Sequence, residues 1–237
     1  MISRAVVRSQ AAEGISGAAG LQDAGNRRMF SAQDLQKIHA AVQSAEKQTR
    51  GEIVPMVVPV SGHYDTPHLL GSLLALLTLA GLLLFEHDGW VASYSPPVVL
   101  LGVLAAYLLG NLSGSLPSLL RRLTPDHRMD LQVRRRAEAA FYEHGLHKTR
   151  EASGILIMIS LLERRVQILA DRAIDEKVPP ATWNTVVQQL VSAIKEGRPA
   201  EGLCRAIAHC GELLAEHFPA RPEDNPDELR NDLIQER

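Results

Sequence analysis

The sequence predicts an α/β protein in which a small mixed β-sheet carries helices on both faces and is interrupted by a two-helix transmembrane hairpin. Three observations predict it. Two uncharged, leucine-dense stretches occupy 69–85 and 98–120, while the rest of the chain has ordinary soluble composition. A helix and a strand precede them, and the order helix, strand, strand, helix, helix follows. The strand at 154–161 is almost wholly apolar, as expected of a strand covered on both faces.

Residues 1–28 are rich in Gly, Ala, Ser and Gln and lack an apolar signal-peptide core, so they read as a disordered segment. Met29 stands directly before the first organised helix and is a second candidate start. The first part of the α/β domain covers 29–65. Ser31 followed by Asp34 is a capping signal, Phe30 and Leu35 sit at hydrophobic-staple positions, and Leu35, Ile38, Val42 and Ala45 mark one apolar face. Gly51 is a plausible stop. The run 52–60 reads as a strand whose Pro55 and Pro59 place it at an edge or make it irregular.

The hairpin is expected over 66–120, with spans at about 69–85 and 98–117. The first contains ten leucines and one phenylalanine; at roughly −0.5 kcal/mol each, they favour insertion by about 5 kcal/mol. The second is weaker, with Asn111, Ser113, Ser115, Pro117 and Ser118 in its latter half. The connection lacks Lys and Arg and carries Trp90 and Tyr94, which suit the membrane interface. Arg121, Arg122 and Arg128 follow the second span, with Arg134, Arg135 and Arg136 beyond. The positive-inside rule then places both termini and the α/β domain in the cytoplasm of a bacterial-type inner membrane. The same arginines suit anionic headgroups. Gly102, Ala106 and Gly110 recur every four residues, a small-residue pattern that lets helices approach closely. Gly71 and Ala75 are the expected partners within the hairpin, and homo-oligomerisation is the alternative use.

The second part of the domain spans 121–218. Met129, Val133, Ala137 and Phe141 predict a helix over 125–147, and 154–161 reads as a buried strand. Glu163-Arg164 makes a turn into an antiparallel strand with Val166, Ile168 and Ala170. Two amphipathic helices follow, one carrying Trp183, Val186, Val187, Leu190, Val191 and Ile194, the other Leu203, Ala206, Ile207, Cys210 and Leu214. The polar, proline-containing stretch 219–237 reads as a loose tail. Cys204 and Cys210 are separated by a rise of about 9 Å along one helix, too far for a disulfide.

A net charge of −2 and the absence of a long basic stripe exclude a nucleic-acid binder. Three carboxylates, Glu52, Asp171 and Asp175, are expected at one end of the sheet, where they either remain solvated or hold a hard divalent cation, Ca or Mg. His144 and His147 have i, i+3 spacing, but further zinc ligands are not evident.

The segments Gly51-Glu52-Ile53-Val54-Pro55-Met56-Val57-Val58, Gly154-Ile155-Leu156-Ile157 and Glu163-Arg164-Arg165-Val166-Gln167-Ile168 resemble the TPM domain family, with the hairpin as an insertion. Ser160-Leu161-Leu162-Glu163-Arg164-Arg165-Val166 and 211–218 are similar to a bacterial membrane subgroup. The resemblance covers about 30–218 and implies a TPM-like α/β sandwich. It also implies an accessory role in assembly, maintenance or regulation of a membrane complex, with the bilayer and a membrane protein as partners. The alternative it implies is a divalent-metal-dependent phosphatase or related hydrolase. Many relatives carry Gly-x-Gly after the third strand, where this chain has Ala170-Asp171-Arg172-Ala173.

Overall fold

The computed structural model describes residues 29–64, 66–85, 96–114, 121–122, 124–221 and 228–236. Trp90, Tyr94 and the first 28 residues lie outside them. The described residues divide into two compact units, one from those up to Ser61 and from Asp130 onward, the other from those between Gly62 and Met129.

The first unit is mixed α/β. Helix α1 (Ala32–Glu46) begins on a full capping box: the Ser31 hydroxyl accepts from the Asp34 amide at 3.2 Å, and the Asp34 carboxylate accepts from the Ser31 amide at 3.0 Å. The Ser31 amide, and with it the Ser31 hydroxyl at 2.8 Å, donates to the Asp34 carboxylate and holds its pKa below the ordinary value. Strand β1 (Glu52–Val58) pairs in parallel with β2 (Gly154–Ser160), in a register that sets Glu52 opposite Gly154 and Val58 opposite Ser160. Strand β3 (Arg165–Ala170) is antiparallel to β2. The turn between them places Arg164 at a φ of 53°.

Alternate residues of a parallel strand address alternate neighbours. Glu52 donates its amide toward β2, to Ser153 O, whereas the Ile53 amide faces outward and donates to Glu46 Oε1 at 3.0 Å. By the same alternation Pro55 faces outward, where its missing N–H costs no ladder bond. That explains how a proline stands inside an apolar strand.

Apolar residues of the sheet divide by parity. Ile53, Val57, Ile155, Ile157, Ile159, Val166 and Ile168 join the larger core, with α1, α6 (Pro180–Lys195) and α7 (Pro199–His217). Val54, Met56, Val58, Leu156, Met158 and Leu169 pack on the other face with Val133, Ala137 and Phe141. These come from α4 (Asp126–Glu143), the helix that ends before the left-handed Gly145.

Two elements go beyond the sequence reading. A four-residue helix, α5 (Arg172–Asp175), leaves β3 directly. The polar end of the chain is not simply a tail: β4 (Ile234–Gln235) pairs in parallel with β1, giving the sheet order β3-β2-β1-β4. Two ladder residues among charged neighbours carry no alternation that a sequence pattern would reveal.

The second unit contains α2 (Thr66–Phe85) and α3 (Pro96–Gly114). They run antiparallel, since Gly71 near the start of α2 lies against Tyr107 and Asn111 near the end of α3. Their less exposed residues, 71, 75, 78 and 81 on one helix and 99, 103, 106, 110 and 111 on the other, recur mostly at spacings of four and three. This is a narrow heptad-like seam. Ala106 and Gly110 belong to it. Gly102 does not: nothing lies within 4 Å of a Cβ built there.

Among the described residues, no helix is long and apolar enough to cross a membrane. Of the expected transmembrane hairpin, the described residues show the antiparallel pair of apolar helices.

Candidate functional site

Sheet topology brings Glu52 and Asp171 to the same end of the sheet, on strands separated by β2. Glu52 opens β1 opposite Gly154, and the Asp171 amide donates to Gly154 O at 2.9 Å as β3 ends. Asp171 then caps α5, its Oδ1 accepting from the Arg172 amide at 2.6 Å. Asp175 lies one helical turn further, its amide donating to Asp171 O at 3.1 Å.

The three carboxylates nevertheless do not form the common ligand set expected from the sequence. Among the described residues, no group of three or more His, Cys, Asp and Glu is placed to hold a metal ion. Glu52 shows why. It is buried, and its two oxygens accept from the amides of Glu228 and Leu229 at 3.1 and 3.3 Å. A carboxylate serving two backbone donors is a structural clasp. Asp171 Oδ2 and Asp175 Oδ1 differ, being buried without a hydrogen-bond partner among the described residues.

The histidine pair also separates. His147 packs beside the Tyr142 ring, with centroids 5.0 Å apart. Burial depresses the His144 pKa, Glu143 raises it, and Arg136 lowers it. The arginines divide as well. Arg122, Arg128 and Arg135 are exposed, whereas Arg134 pairs with Glu138 at 2.8 Å and Arg136 with Glu143 at 3.1 Å.

A buried polar set closes the other end of the strands. Glu163 Oε1 accepts from the Ser61 amide at 3.0 Å, its Oε2 accepts from the Ser160 hydroxyl, and the two serine hydroxyls lie 2.7 Å apart. This ties Ser61, the last residue before the helical unit, to the β2–β3 turn.

The outer edge of β1 is where sequence reasoning missed most. The C-terminal segment lies along it. Beyond the clasp at Glu52, Asp232 Oδ1 meets His39 Nδ1 at 3.0 Å and Glu236 pairs with Arg136. The Glu228 carboxylate meets Arg150 through its backbone amide at 3.2 Å and its side-chain Nε at 3.4 Å. Leu233 packs against the larger core, while Leu229 and Ile234 pack against the smaller one. The only sequence signal was Leu229, Leu233 and Ile234 recurring inside an acidic stretch.

Residues 121–213 match the family described as the TPM domain. No curated protein matches the chain. Among solved structures, the fold is similar to the NMR structure of BA42 protein from the psychrophilic bacterium Bizionia argentinensis. The TM-score is 0.56 at 18% identity, covering 89% of this chain and 98% of that one. At this identity the likeness concerns fold alone. The match to the TPM domain thus covers the segment that follows the helical pair.

Proposed function

We propose that the protein is a membrane-anchored accessory domain: the helical pair sits in lipid, and the α/β unit serves a membrane complex from the cytoplasmic face. One observation carries the anchoring. Six leucines of α2 (69, 73, 74, 76, 77 and 79) and six of α3 (100, 101, 104, 108, 109 and 112) are each at least 41% exposed. At roughly 1 kcal/mol for each half-exposed leucine, covering them is worth on the order of 10 kcal/mol, comparable to the stability of a whole domain. No charge interrupts 69–85 or 98–120, which favours hydrocarbon over a polar-rimmed protein interface as the covering phase. The exposed Arg122, Arg128 and Arg135 suit anionic headgroups. The arginines after α3 support the cytoplasmic orientation.

The test is carbonate extraction of membranes from cells expressing the full chain, followed by flotation. The chain is expected to stay with the membranes. Release into the supernatant as a monodisperse species without detergent would end the anchoring reading. For orientation, a cytoplasm-active reporter is expected to work at either terminus but not at Gly89; the reverse pattern would overturn it.

A second reading, a phosphatase using a divalent cation, has one specific observation behind it: the unpartnered buried oxygens of Asp171 and Asp175. Oxygens of this type are hard-cation ligands, and Ca or Mg held there could polarise a phosphoryl oxygen. This reading predicts a Ca- or Mg-dependent rise in melting temperature that Asp171→Asn abolishes, with metal-dependent turnover of a phosphomonoester. An unchanged melting temperature, or a rise that survives the substitution, would remove it.

A further inference from the structure

We propose that the outer edge of β1 is a strand-receiving site whose resident occupant is the chain's own segment 228–236, and that the protein's partner presents an extended segment of the same chemistry. The inference deepens the accessory-domain reading by naming what the partner offers; it rests on that reading for the existence of a partner, and not on membrane insertion.

The geometry is that of a peptide added to a sheet edge, in which backbone bonds hold the strand and side-chain pockets choose it. Backbone contacts are made at both ends of the segment. The Glu228 and Leu229 amides donate to the Glu52 carboxylate, and the Glu236 amide donates to Val57 O at 3.1 Å. Between them the ladder covers only Ile234 and Gln235, against seven residue pairs joining β1 to β2. The apolar anchors Leu229, Leu233 and Ile234 are partly buried, whereas every residue of β2 is buried.

Charge complementarity defines the motif. Arg150 meets Glu228 at one end, Arg136 meets Glu236 at the other, and His39 meets Asp232 between them. The His39–Asp232 pair is largely in solvent, with the two side chains 46% and 77% exposed, and such pairs are individually weak. A short ladder, partly buried anchors and a solvent-exposed His39–Asp232 contact describe a ligand that can be exchanged. A competing segment needs a leading acid, a leucine after it, a Leu-Ile pair four residues later, and a closing acid.

The test uses the full chain in detergent and a labelled peptide with the sequence of 228–236. In the chain, Leu233→Asp with Ile234→Asp removes two of the three resident anchors. The peptide is expected to bind this variant at least tenfold more tightly than the unaltered chain, and a scrambled peptide is not. Adding Arg136→Glu to the variant should abolish binding, and a peptide carrying Glu236→Arg should restore it, a rescue that a purely structural arginine would not give.

Equal binding to the variant and the unaltered chain would overturn the proposal. So would dimerisation of the variant through its own segment that the peptide cannot compete away. If the variant fails to fold, hydrogen exchange on the unaltered chain decides. The amides of Glu228, Leu229 and Glu236 should exchange at least a hundredfold faster than those of Ile155 and Ile157, and equal protection would mark β4 as a permanent strand. Membrane extraction and peptide binding are independent readouts, so either idea can fail alone.

Discussion

The α2–α3 and α6–α7 pairs are each two consecutive helices of similar length, 20 and 19 residues against 16 and 19, yet they turn their apolar residues in opposite directions. In α6–α7, Trp183, Val186, Val187, Leu190, Leu203, Ile207 and Leu214 are buried against the sheet core. In α2–α3 the contact is a seam of mostly small residues, and the six exposed leucines named on each helix face away from it. A helix whose apolar residues form a stripe is answering to a protein core. One that is apolar all round, and touches its neighbour only along a seam, is answering to a different surrounding phase.

Charge on the outward faces should break that contrast most severely. Leu76→Arg together with Leu104→Arg costs about 3–4 kcal/mol per site in a bilayer, so most of the chain should move from the membrane fraction to aggregates or supernatant on carbonate extraction. Continued membrane retention of the double variant would contradict lipid exposure of these positions.

Truncation at the centre of the other pair comes next. Trp183 is fully buried, and Trp183→Ala should destabilise the α/β unit by about 3–5 kcal/mol in urea unfolding. Leu100→Ala, which shortens an exposed side chain, should leave that unfolding midpoint unchanged.

Two glycines sharpen the comparison on a smaller scale. A Cβ on Gly211 would sit 2.7 Å from Ala45 Cβ and 3.2 Å from Ala45 Cα, where α7 crosses α1. Alanine gains about 1 kcal/mol of helix propensity, but overpacking costs about 1–3 kcal/mol and the Ala45 backbone cannot swing aside. Gly211→Ala should therefore lower stability, whereas Gly102→Ala, with open space around it, should not. Thermal melts of the two variants would compare them directly.

The smallest effect is invisible at neutral pH. Burial raises the Cys210 thiol from an ordinary 9.0 to about 12, so the folded state keeps a proton that the unfolded chain releases first. The contribution is fully present below about pH 9 and is lost as pH rises toward 12, with a slope of up to about 1.4 kcal/mol per pH unit. Urea midpoints of the wild type and Cys210→Ala between pH 8 and 11 should converge or cross as this contribution disappears; parallel profiles would contradict the shift.

Local signals made much of the fold legible. Ser31 and Asp34 announced the start of α1 and the unbroken apolar run announced β2, whereas the prolines suggested an edge or irregular β1 that in fact lies between β2 and the two-residue β4. Long-range bonds were not legible: Glu52 looked like a candidate ligand because its partners, the amides at 228 and 229, lie 176 and 177 residues away in sequence. The small-residue pattern misled for a geometric reason. A strict four-residue spacing precesses by about 40° per step around a helix, so Gly102, Ala106 and Gly110 cannot all face one seam. Alternating spacings of three and four hold the stripe in place. At the candidate site, spacing alone could bring Asp171 and Asp175 to one turn of helix, but could not reveal that Glu52 was already engaged.

The placement of the helical unit between β1 and β2 also sets a timetable for biosynthesis. β1 leaves the ribosome roughly a hundred residues before the strand it lies beside. At about 5–20 residues per second, it waits on the order of 5–20 s for that neighbour. During this interval its apolar side chains have no sheet to join. The C-terminal edge strand arrives later still, so the sheet grows from a nascent fragment that must be kept from aggregating until the chain is nearly finished.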